Sequence, residues 1–305
     1  MSGMDKNGLS EAEFLASYDS SKYEHPSVTA DIALFAVSST ELDNYRKLPE
    51  KQLEILLIKR GGHPYLGKWA LPGGFLKPGE TLDQAAYREL KEETGVDSVY
   101  LEQLFGFSDP DRDPRGWIIT ESFLALADKR KLSLQAGDDA DEAAWFTVSL
   151  TSNEQSVWTL KLVGQNLALK ATLTEATTAK SKSRSKGRSA QTHITTGREA
   201  SPLVAIDSDL AFDHASIISY AIERMRNKVD YTGLAFSLLP KQFTLTDLQQ
   251  VYELILGKEL LTPAFRRKIA NYVIATDEFT QNAGHRPSRL YMRRDENEKN
   301  TGILE

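Results

Sequence analysis

Apolar residues in the first half of the chain are grouped into short runs that have the composition of β-strands. The runs cover residues 28–37, 53–58, 122–127 and 143–146, and they are rich in β-branched and aromatic side chains. Two central strands, a helix and further strands predict one α/β domain that ends near residue 160. Residues 166–179 are ambiguous and could extend a helix.

In the last third of the chain, the apolar residues recur with the spacing of an α-helix. A predicted helix at residues 215–227 carries an apolar face with spacing i, i+3 and i+4. That face consists of Ile217, Ile218, Ala221, Ile222 and Met225. The pattern therefore predicts a helical start to a second domain.

Two further helices and a strand follow. One helix begins after Thr244 and ends at Gly257, and the next begins at Thr262 and runs to about residue 275. Residues 288–294 resemble a strand that carries several arginines. Helix, turn, helix and basic hairpin, in that order, predict a winged helix-turn-helix domain.

Between the two patterned regions the apolar period disappears. Residues 180–188 alternate Lys or Arg with Ser and Gly. A flexible linker and a basic strap that touches DNA phosphates both fit this composition, and the two can hold together. The predicted organisation is a flexible N-terminus at 1–24, an α/β domain at 25–165, a basic flexible linker at 166–209, a winged helix DNA-binding domain at 210–295 and a tail at 296–305.

Composition restricts the classes of protein to which the chain can belong. It has 305 residues, 40% of them hydrophobic, a formal net charge of −6 and no cysteine. The missing cysteine excludes disulfides, thiolate zinc sites and cysteine nucleophiles. The first residues lack the apolar core of a signal peptide, and no apolar run approaches the ~18–20 residues of a membrane span. A soluble, cytoplasmic protein without a membrane partner is expected.

The charge is distributed unevenly along the chain. Residues 1–150 carry 16 Lys and Arg against 26 Asp and Glu, whereas residues 211–305 carry 13 against 12. An acidic first half is a poor binder of nucleic acid. Residues 262–294 hold seven basic side chains against two acids, so we expect any DNA contact to lie there.

The most informative stretch is residues 71–96, whose second half predicts a well-capped helix. Thr81 and Gln84 form a capping box, and Gly95 suits the left-handed position after the last turn. Three carboxylates, Glu89, Glu92 and Glu93, are spaced so that they share the face opposite the apolar stripe. The alternative interpretation is an ordinary solvated helix face.

Oxygen-only ligands select a hard cation, Mg²⁺ or Mn²⁺, rather than zinc. Arg88 can hold one carboxylate in position, and Glu80 can approach from the preceding loop. Gly73 and Gly74 allow close backbone approach, as a phosphate-bearing ligand would require. The sequence therefore predicts a metal site on the carboxylate face of this helix, with the glycine turn before it available to a phosphate-bearing ligand.

The order Gly74, five residues, Glu80, seven residues and then residues 88–96 resembles the Nudix box at every defining position. The resemblance implies a Nudix fold, a mixed sheet in an α/β/α sandwich, that binds nucleoside diphosphates linked to another moiety. It implies metal ligation by Glu80, Glu89, Glu92 and Glu93, and catalytic roles for Arg88, Glu92 and Glu93.

Two flanking segments, residues 59–74 and 108–116, resemble Nudix proteins of the ADP-ribose pyrophosphatase type. The second is a turn-rich loop whose two arginines can bind phosphate bidentately, although a tight surface turn with local Asp–Arg pairs is an alternative. The resemblance implies ADP-ribose as effector or substrate, held by Arg60, Gly73, Gly74, Arg112 and Arg115. The acids that could supply a catalytic base are Asp138, Asp139, Asp141 and Glu142, and the sequence does not choose among them.

The helix after Thr262 is predicted to expose a basic face. Its basic residues would meet the DNA groove and phosphates, and arginines of the hairpin would lie on the wing. The candidate DNA contacts are Thr262, Arg266, Arg267, Lys268, Asn271, Arg286 and Arg289. A helical dimerisation or lid domain with a solvated basic face is the alternative.

Motifs at residues 210–214, 231–236 and 265–269 resemble the C-terminal domain of the Nudix-related transcriptional regulators of NAD metabolism. The resemblance implies a homodimeric repressor that binds double-stranded operator DNA and is released by ADP-ribose or a related NAD metabolite. Many members of that family have lost hydrolysis, but the box of this chain is intact. A Mg²⁺-dependent ADP-ribose pyrophosphatase producing AMP and ribose 5-phosphate is therefore the competing hypothesis.

Overall fold

A computed structural model describes residues 4–40, 49–95, 99–132, 140–175, 202–280 and 287–294. The helices are α1 (Glu11–Ser17), α2 (Leu82–Thr94), α3 (His214–Lys228), α4 (Leu245–Leu256) and α5 (Thr262–Ile269). The strands are β1 (Ser27–Thr40), β2 (Glu50–Arg60), β3 (Trp69–Ala70), β4 (Gly73–Phe75), β5 (Tyr100–Phe107), β6 (Ile118–Ala127), β7 (Ala140–Ser152), β8 (Val157–Val163), β9 (Ala168–Glu175), β10 (Leu203–Ser208), β11 (Val273–Phe279) and β12 (Arg289–Arg293).

A large mixed sheet forms the centre of the protein. Its order is β10-β9-β8-β7-β2-β1-β6-β5, with β3 paired to β2 and β4 paired to β1. β1 and β6 run parallel, and the other pairs are antiparallel. The predicted Nudix fold with a mixed sheet is confirmed, and the two-stranded hairpin β11–β12 completes the predicted winged helix.

The sheet is covered on both faces. On one face, Ala85, Ala86 and Leu90 of α2 pack into a cluster of buried residues from β1, β2 and β6. On the other, Phe35 and Phe146 belong to a continuous core that also contains buried residues of α3, α4 and α5. Because burial of apolar surface is the main source of folding free energy, the winged helix and the Nudix sheet stabilise each other.

The predicted linker at 166–209 is wrong at both of its ends. Residues 168–175 form β9 and residues 203–208 form β10, so the ambiguous stretch at 166–179 is largely a strand rather than a helix. Leu169, Ala171 and Leu173 alternate with polar residues and are buried, which is the period of a half-buried strand. The basic run at 180–188 lies outside the described residues.

Local caps and long-range pairing explain the helix boundaries. The capping box of Thr81 with Gln84 and the left-handed Gly95 and Gly257 are confirmed. α5 ends at Ile269 instead of near 275, because Val273 begins strand β11 and pairs with β12. Leu261, not Thr262, is the N-cap of α5.

The N-terminal 24 residues, predicted to be flexible, contain the short helix α1 with its own capping box of Ser10 and Glu13. None of the α1 residues is buried. Across the described parts of the chain, the helices are too short or too polar for any of them to cross a membrane.

Candidate functional site

The turn that leads into the predicted metal site is packed tightly against the protein itself. A Cβ atom added to Gly73 would lie 2.3 Å from the carbonyl oxygen of Ala30, and one added to Gly74 would lie 2.2 Å from Oε1 of Glu89. Gly73 therefore requires glycine, because its Cβ would meet backbone atoms, whereas a Cβ at Gly74 would displace the carboxylate of Glu89. The sequence analysis assigned the space beside these two glycines to a phosphate of the ligand. In the structure, β1 fills the space beside Gly73 and the carboxylate of Glu89 fills the space beside Gly74.

Arg88, in the middle of α2, links Glu80 of the preceding loop to Glu89 of the helix. Its Nε lies 2.7 Å from Oε1 of Glu80, its Nη1 lies 2.5 Å from Oε1 of Glu89, and its Nη2 donates to the carbonyl oxygen of Phe75. The hydrogen bonds from Arg88 lower the pKa of Glu80 to about 2. Burial raises the pKa of Glu89, although Arg88 opposes this change. Arg88 therefore holds the carboxylates of Glu80 and Glu89 in defined positions, whereas the sequence predicted that it would hold one carboxylate.

The other two carboxylates differ in exposure. The side chain of Glu92 is half exposed and lies 3.7 Å from Nη1 of Arg88, whereas Glu93 is buried. Within the part of the chain that the structure describes, no three His, Asp or Glu side chains are close enough together to hold a metal ion as they stand. These donors are all carboxylate oxygens, which is the set that fits a hard cation.

Two of the predicted ligand-binding arginines meet in a cluster with three aromatic rings, which we call the arginine–aromatic cluster. It consists of Arg60, Tyr65, Phe75, Arg115 and Phe212. The Arg60 guanidinium lies 5.0 Å from the centre of the Phe212 ring, and the Arg115 guanidinium lies 5.0 Å from the Phe75 ring and 5.5 Å from the Phe212 ring. Such stacking orients a guanidinium while leaving its N–H edge able to donate to phosphate.

Both arginines also have partners within their own loops. Nε of Arg60 donates to the carbonyl oxygen of Pro64 at 2.7 Å. Nη2 of Arg115 lies 2.7 Å from Oδ2 of Asp113. The local Asp–Arg pair that we considered as an alternative for the 108–116 loop is therefore present.

Arg112 does not join this cluster. Its buried guanidinium donates to both carboxylate oxygens of Asp213 at 2.9 and 2.8 Å and to Asp31 at 3.4 Å. Burial raises the pKa of Asp31, against the opposing effect of Arg112. The structure thus uses Arg112 to join β1 to the segment before α3, rather than presenting it to a phosphate.

His214 is a buried residue to which the sequence analysis gave no role. The backbone N–H of Leu71 donates to Nδ1 of His214 at 2.8 Å, across a separation of 143 residues. Burial lowers the pKa of His214 to about 4, so the ring is neutral at pH 7 and carries its proton on Nε2. No local sequence pattern could have revealed a partner so far away along the chain.

One cavity among the described residues is not lined by any residue of the Nudix box. It measures about 830 Å³ and is lined by Trp69, Trp145, Lys68 and Lys129, among others. Glu142, one of the four acids considered as a base, also lines it and lies 3.7 Å from Lys59. Asp138 and Asp139 lie outside the described residues, and the side chain of Asp141 is not described.

The predicted DNA-binding residues of α5 are exposed. Arg266, Arg267 and Lys268 lie on the solvent side of α5, opposite the buried Phe265 and Ile269. Nζ of Lys268 lies 2.5 Å from Oδ1 of Asp230. Thr262 and Asn271 are exposed at the two ends of the same basic surface.

On the wing, Nε of Arg289 donates to the carbonyl oxygen of Thr276, and its Nη2 lies 3.2 Å from Oδ1 of Asp277. These contacts fix Arg289 on the hairpin. Arg286 lies outside the described residues.

The fold and its two surfaces define a class of protein in which a Nudix sheet and a winged helix share one hydrophobic core. The NUDIX domain family matches residues 48–161, and the family described as the NrtR DNA-binding winged helix domain matches residues 235–292. The ADPR responsive transcriptional repressor NtrR of Acinetobacter baylyi is 35% identical over 288 residues, which are 93% of this chain and 89% of that protein. This chain belongs to the NrtR family.

Two solved structures resemble the whole chain. A MutT/nudix family protein from Enterococcus faecalis has a TM-score of 0.64 and 31% identity, with 94% of both chains covered. Shewanella oneidensis NrtR complexed with a 27mer DNA has a TM-score of 0.57 and 27% identity, with 88% of this chain and 93% of that chain covered. The likeness therefore includes both the Nudix sheet and the winged helix.

Proposed function

We propose that this protein is a DNA-binding transcriptional repressor whose Nudix part senses ADP-ribose or a related NAD metabolite. The observation that carries the proposal is the continuous core that joins the Nudix sheet to a winged helix with an exposed basic helix. The similarity to the Acinetobacter protein, named as an ADPR responsive repressor, extends over both parts. A cytoplasmic location and a homodimeric state are parts of this proposal.

The arginine–aromatic cluster supports a nucleotide ligand. Arg60 and Arg115 would bind the diphosphate, because a guanidinium offers two parallel N–H donors to phosphate oxygens. The rings of Tyr65 and Phe75 would pack against the flat surfaces of the ligand. The cluster adjoins the Nudix box, since Nη2 of Arg88 donates to the carbonyl oxygen of Phe75.

The Nudix-box carboxylates would hold Mg²⁺ or Mn²⁺. Glu89, Glu92 and Glu93 are the proposed ligands, and Glu80 supports them through Arg88. A bound divalent ion neutralises the negative charge of pyrophosphate oxygens. The protein's own contribution is to position the carboxylates, which Arg88 does in the structure.

The winged helix would bind duplex DNA through α5. Arg266 and Arg267 would enter the major groove or contact its phosphates, and Arg289 would contact the backbone from the wing. A homodimer would present two such helices to a palindromic operator with half-sites about one helical turn apart or a multiple of it.

Fluorescence anisotropy with duplexes from the protein's own gene neighbourhood tests the proposal. We expect one duplex to bind tightly and to be released by ADP-ribose in the micromolar range. A ligand shifts such an equilibrium only if it binds the two states unequally. DNA affinity that stays constant up to saturating ADP-ribose would contradict the proposed function.

A Mg²⁺-dependent ADP-ribose pyrophosphatase is the second candidate, because the Nudix-box glutamates are complete and Glu92 is half exposed beside Arg88. Release of AMP with Mg²⁺ or Mn²⁺, abolished in Glu92→Gln, would establish it. Absence of turnover with either ion would exclude it as a useful activity. Slow hydrolysis is compatible with the repressor, because it would reset the sensor.

A further inference from the structure

One short segment connects the nucleotide site to the first helix of the C-terminal part. We call residues 210–214 the connector. Leu210 forms a β-bridge with Trp69, and the N–H of Ala211 donates to the carbonyl oxygen of Trp69 at 2.9 Å. The connector therefore lies against β3, immediately before the turn that carries the Nudix-box glycines.

The next three residues of the connector each contact a different segment of the Nudix part of the chain. The Phe212 ring lies in the arginine–aromatic cluster, Asp213 pairs with Arg112, and His214 accepts the N–H of Leu71. His214 is also the first residue of α3. A displacement of the connector must therefore move the start of α3.

Phe212 is the member of the connector that reaches the proposed ligand site. Its ring meets Tyr65 edge to face at 4.7 Å and lies over both Arg60 and Arg115. Its φ of 52° is in the left-handed region, which bulky side chains rarely adopt. Such a conformation persists only where surrounding contacts hold it, and these rings and guanidinium groups supply those contacts.

Ligand phosphates and Phe212 act on the same two arginines. A diphosphate bound to the N–H edges of Arg60 and Arg115 draws both guanidinium groups toward itself, and their stacked partner must follow them or lose contact. Coupling between two sites requires contacts that differ between the two states. The contacts of Phe212 with both arginines would change in this way when a diphosphate binds, whereas the Arg112 guanidinium is buried against the carboxylates of Asp31 and Asp213.

We propose that Phe212 is the positioning residue through which an occupied nucleotide site moves α3 and the winged helix. The C-terminal part thus contributes one wall of the site for a nucleoside diphosphate linked to a second moiety. This inference rests on the proposed function, because it assigns the route by which that ligand changes DNA binding.

The test uses the full-length protein and two variants at one position, Phe212→Ala and Phe212→Leu. Phe14→Ala is the matched control, because Phe14 is an exposed aromatic residue on α1, a helix without buried residues. For each protein, calorimetry gives the affinity for ADP-ribose without DNA. Anisotropy gives the affinity for the operator duplex with and without saturating ADP-ribose.

For each variant, the ligand-induced change in DNA affinity is measured relative to the affinity of that same variant for the duplex without ligand. The affinity of Phe212→Ala for ADP-ribose should fall several-fold, and the ligand-induced loss of DNA affinity should shrink at least tenfold. Phe212→Leu, which keeps the apolar volume but not the aromatic face, should be intermediate. If Phe212→Ala fails to fold, as judged by circular dichroism, Phe212→Leu carries the test alone.

Full release of both variants from DNA by saturating ADP-ribose would overturn the inference, even if their ligand affinity were reduced. Failure of the proposed function has a different signature, because the wild-type protein itself would then not respond to ADP-ribose. In that case the affinities for ADP-ribose still test whether Phe212 forms a wall of the nucleotide site. Equal affinities of wild type and Phe212→Ala for ADP-ribose would refute that assignment.

Discussion

At the residue scale, single close contacts determine where the Nudix-box carboxylates lie. The Cα of Gly74 faces Glu89 so closely that there is no room for a Cβ atom between them. Arg88 holds the same carboxylate from the other side. The position of Glu89 therefore depends both on the absence of a Cβ atom at Gly74 and on the ion pair with Arg88.

Gly74→Ala should displace Glu89 and destabilise the fold. The added methyl group would meet only the movable carboxylate end of Glu89, so the free energy of unfolding should fall by about 1 kcal/mol, the lower end of the range for a methyl group forced into a packed contact, and Mg²⁺ binding should weaken. Thermal unfolding and a calorimetric Mg²⁺ titration measure the two effects. Gly62→Ala is the control, because a Cβ atom at Gly62 would meet nothing within 4 Å. Equal behaviour of the two variants would refute the steric role of Gly74.

His214 should make stability depend on pH. The pKa of His214 is about 4 in the folded protein and about 6.5 in an unfolded chain. Between these values the unfolded chain binds more protons, so the free energy of unfolding should fall as the pH drops from about 6.5 to 4. The contribution of His214 to the free energy of unfolding does not change above pH 6.5. As the pH falls to 4, up to about 3 kcal/mol of that free energy is lost.

Urea unfolding at pH 7.5 and at pH 5 compares wild type with His214→Asn. Asparagine can still accept the N–H of Leu71 but cannot titrate, so the variant should show a smaller loss of stability at pH 5. Asp31 and Asp213, the carboxyls nearest His214, are common to both proteins and largely cancel in the comparison. Equal pH dependence of the two proteins would rule out His214 as the source.

At the element scale, the features that the sequence predicts well are those encoded locally. The caps of α2 and α4 are formed by residues three positions apart, and both helices begin and end where their caps indicate. β10 was missed because it pairs with β9 across residues 176–202, and the end of α5 was missed because β11 pairs with β12 beyond residues 280–288. β9 pairs with the adjacent strand β8, and its alternating pattern was present in the sequence.

The same distinction holds for the candidate site. A carboxylate held by Arg88 and the approach of Glu80 from the preceding loop were both predicted, because these residues lie within one motif; their pairing is seen in the structure. The burial of Arg112 against Asp213 and the insertion of the Phe212 ring join segments about 100 residues or more apart. Such contacts depend on tertiary packing, which no window of sequence contains.

Helix α5 supplies the prediction at this scale. The double variant Arg266→Ala and Arg267→Ala should weaken duplex binding and reduce the slope of log affinity against log salt by about 2, because each phosphate contact contributes nearly one counterion. Anisotropy titrations at several salt concentrations measure both quantities.

The control for α5 is Lys161→Ala with Lys170→Ala, which removes the same charge from exposed positions on β8 and β9. Its DNA affinity should stay close to wild type. If both double variants lost affinity equally, net charge rather than α5 would explain the binding.

At the scale of the whole molecule, the shared core makes the two parts one folding unit. All four tryptophans lie in residues 69–158, so their fluorescence reports the Nudix part. Helices of 15, 12 and 8 residues lie in the C-terminal part, against 7 and 13 residues in the first half, so circular dichroism at 222 nm reports mainly the C-terminal part. The two probes should give coincident unfolding transitions in urea.

Arg112→Ala tests how the two halves are joined. The substitution leaves the carboxylates of Asp31 and Asp213 without their buried guanidinium, and breaking a buried pair from one side costs about 3–5 kcal/mol. Because Arg112 bridges β1 and the connector, the midpoints from both probes should fall together. Lys22→Ala removes a cation whose pair with Asp19 is exposed on both sides, so it should cost about 1 kcal/mol or less. A fluorescence midpoint that falls while the dichroism midpoint stays would show that the core does not transmit stability between the Nudix sheet and the winged helix, and a rigid route from ligand to DNA would then be excluded.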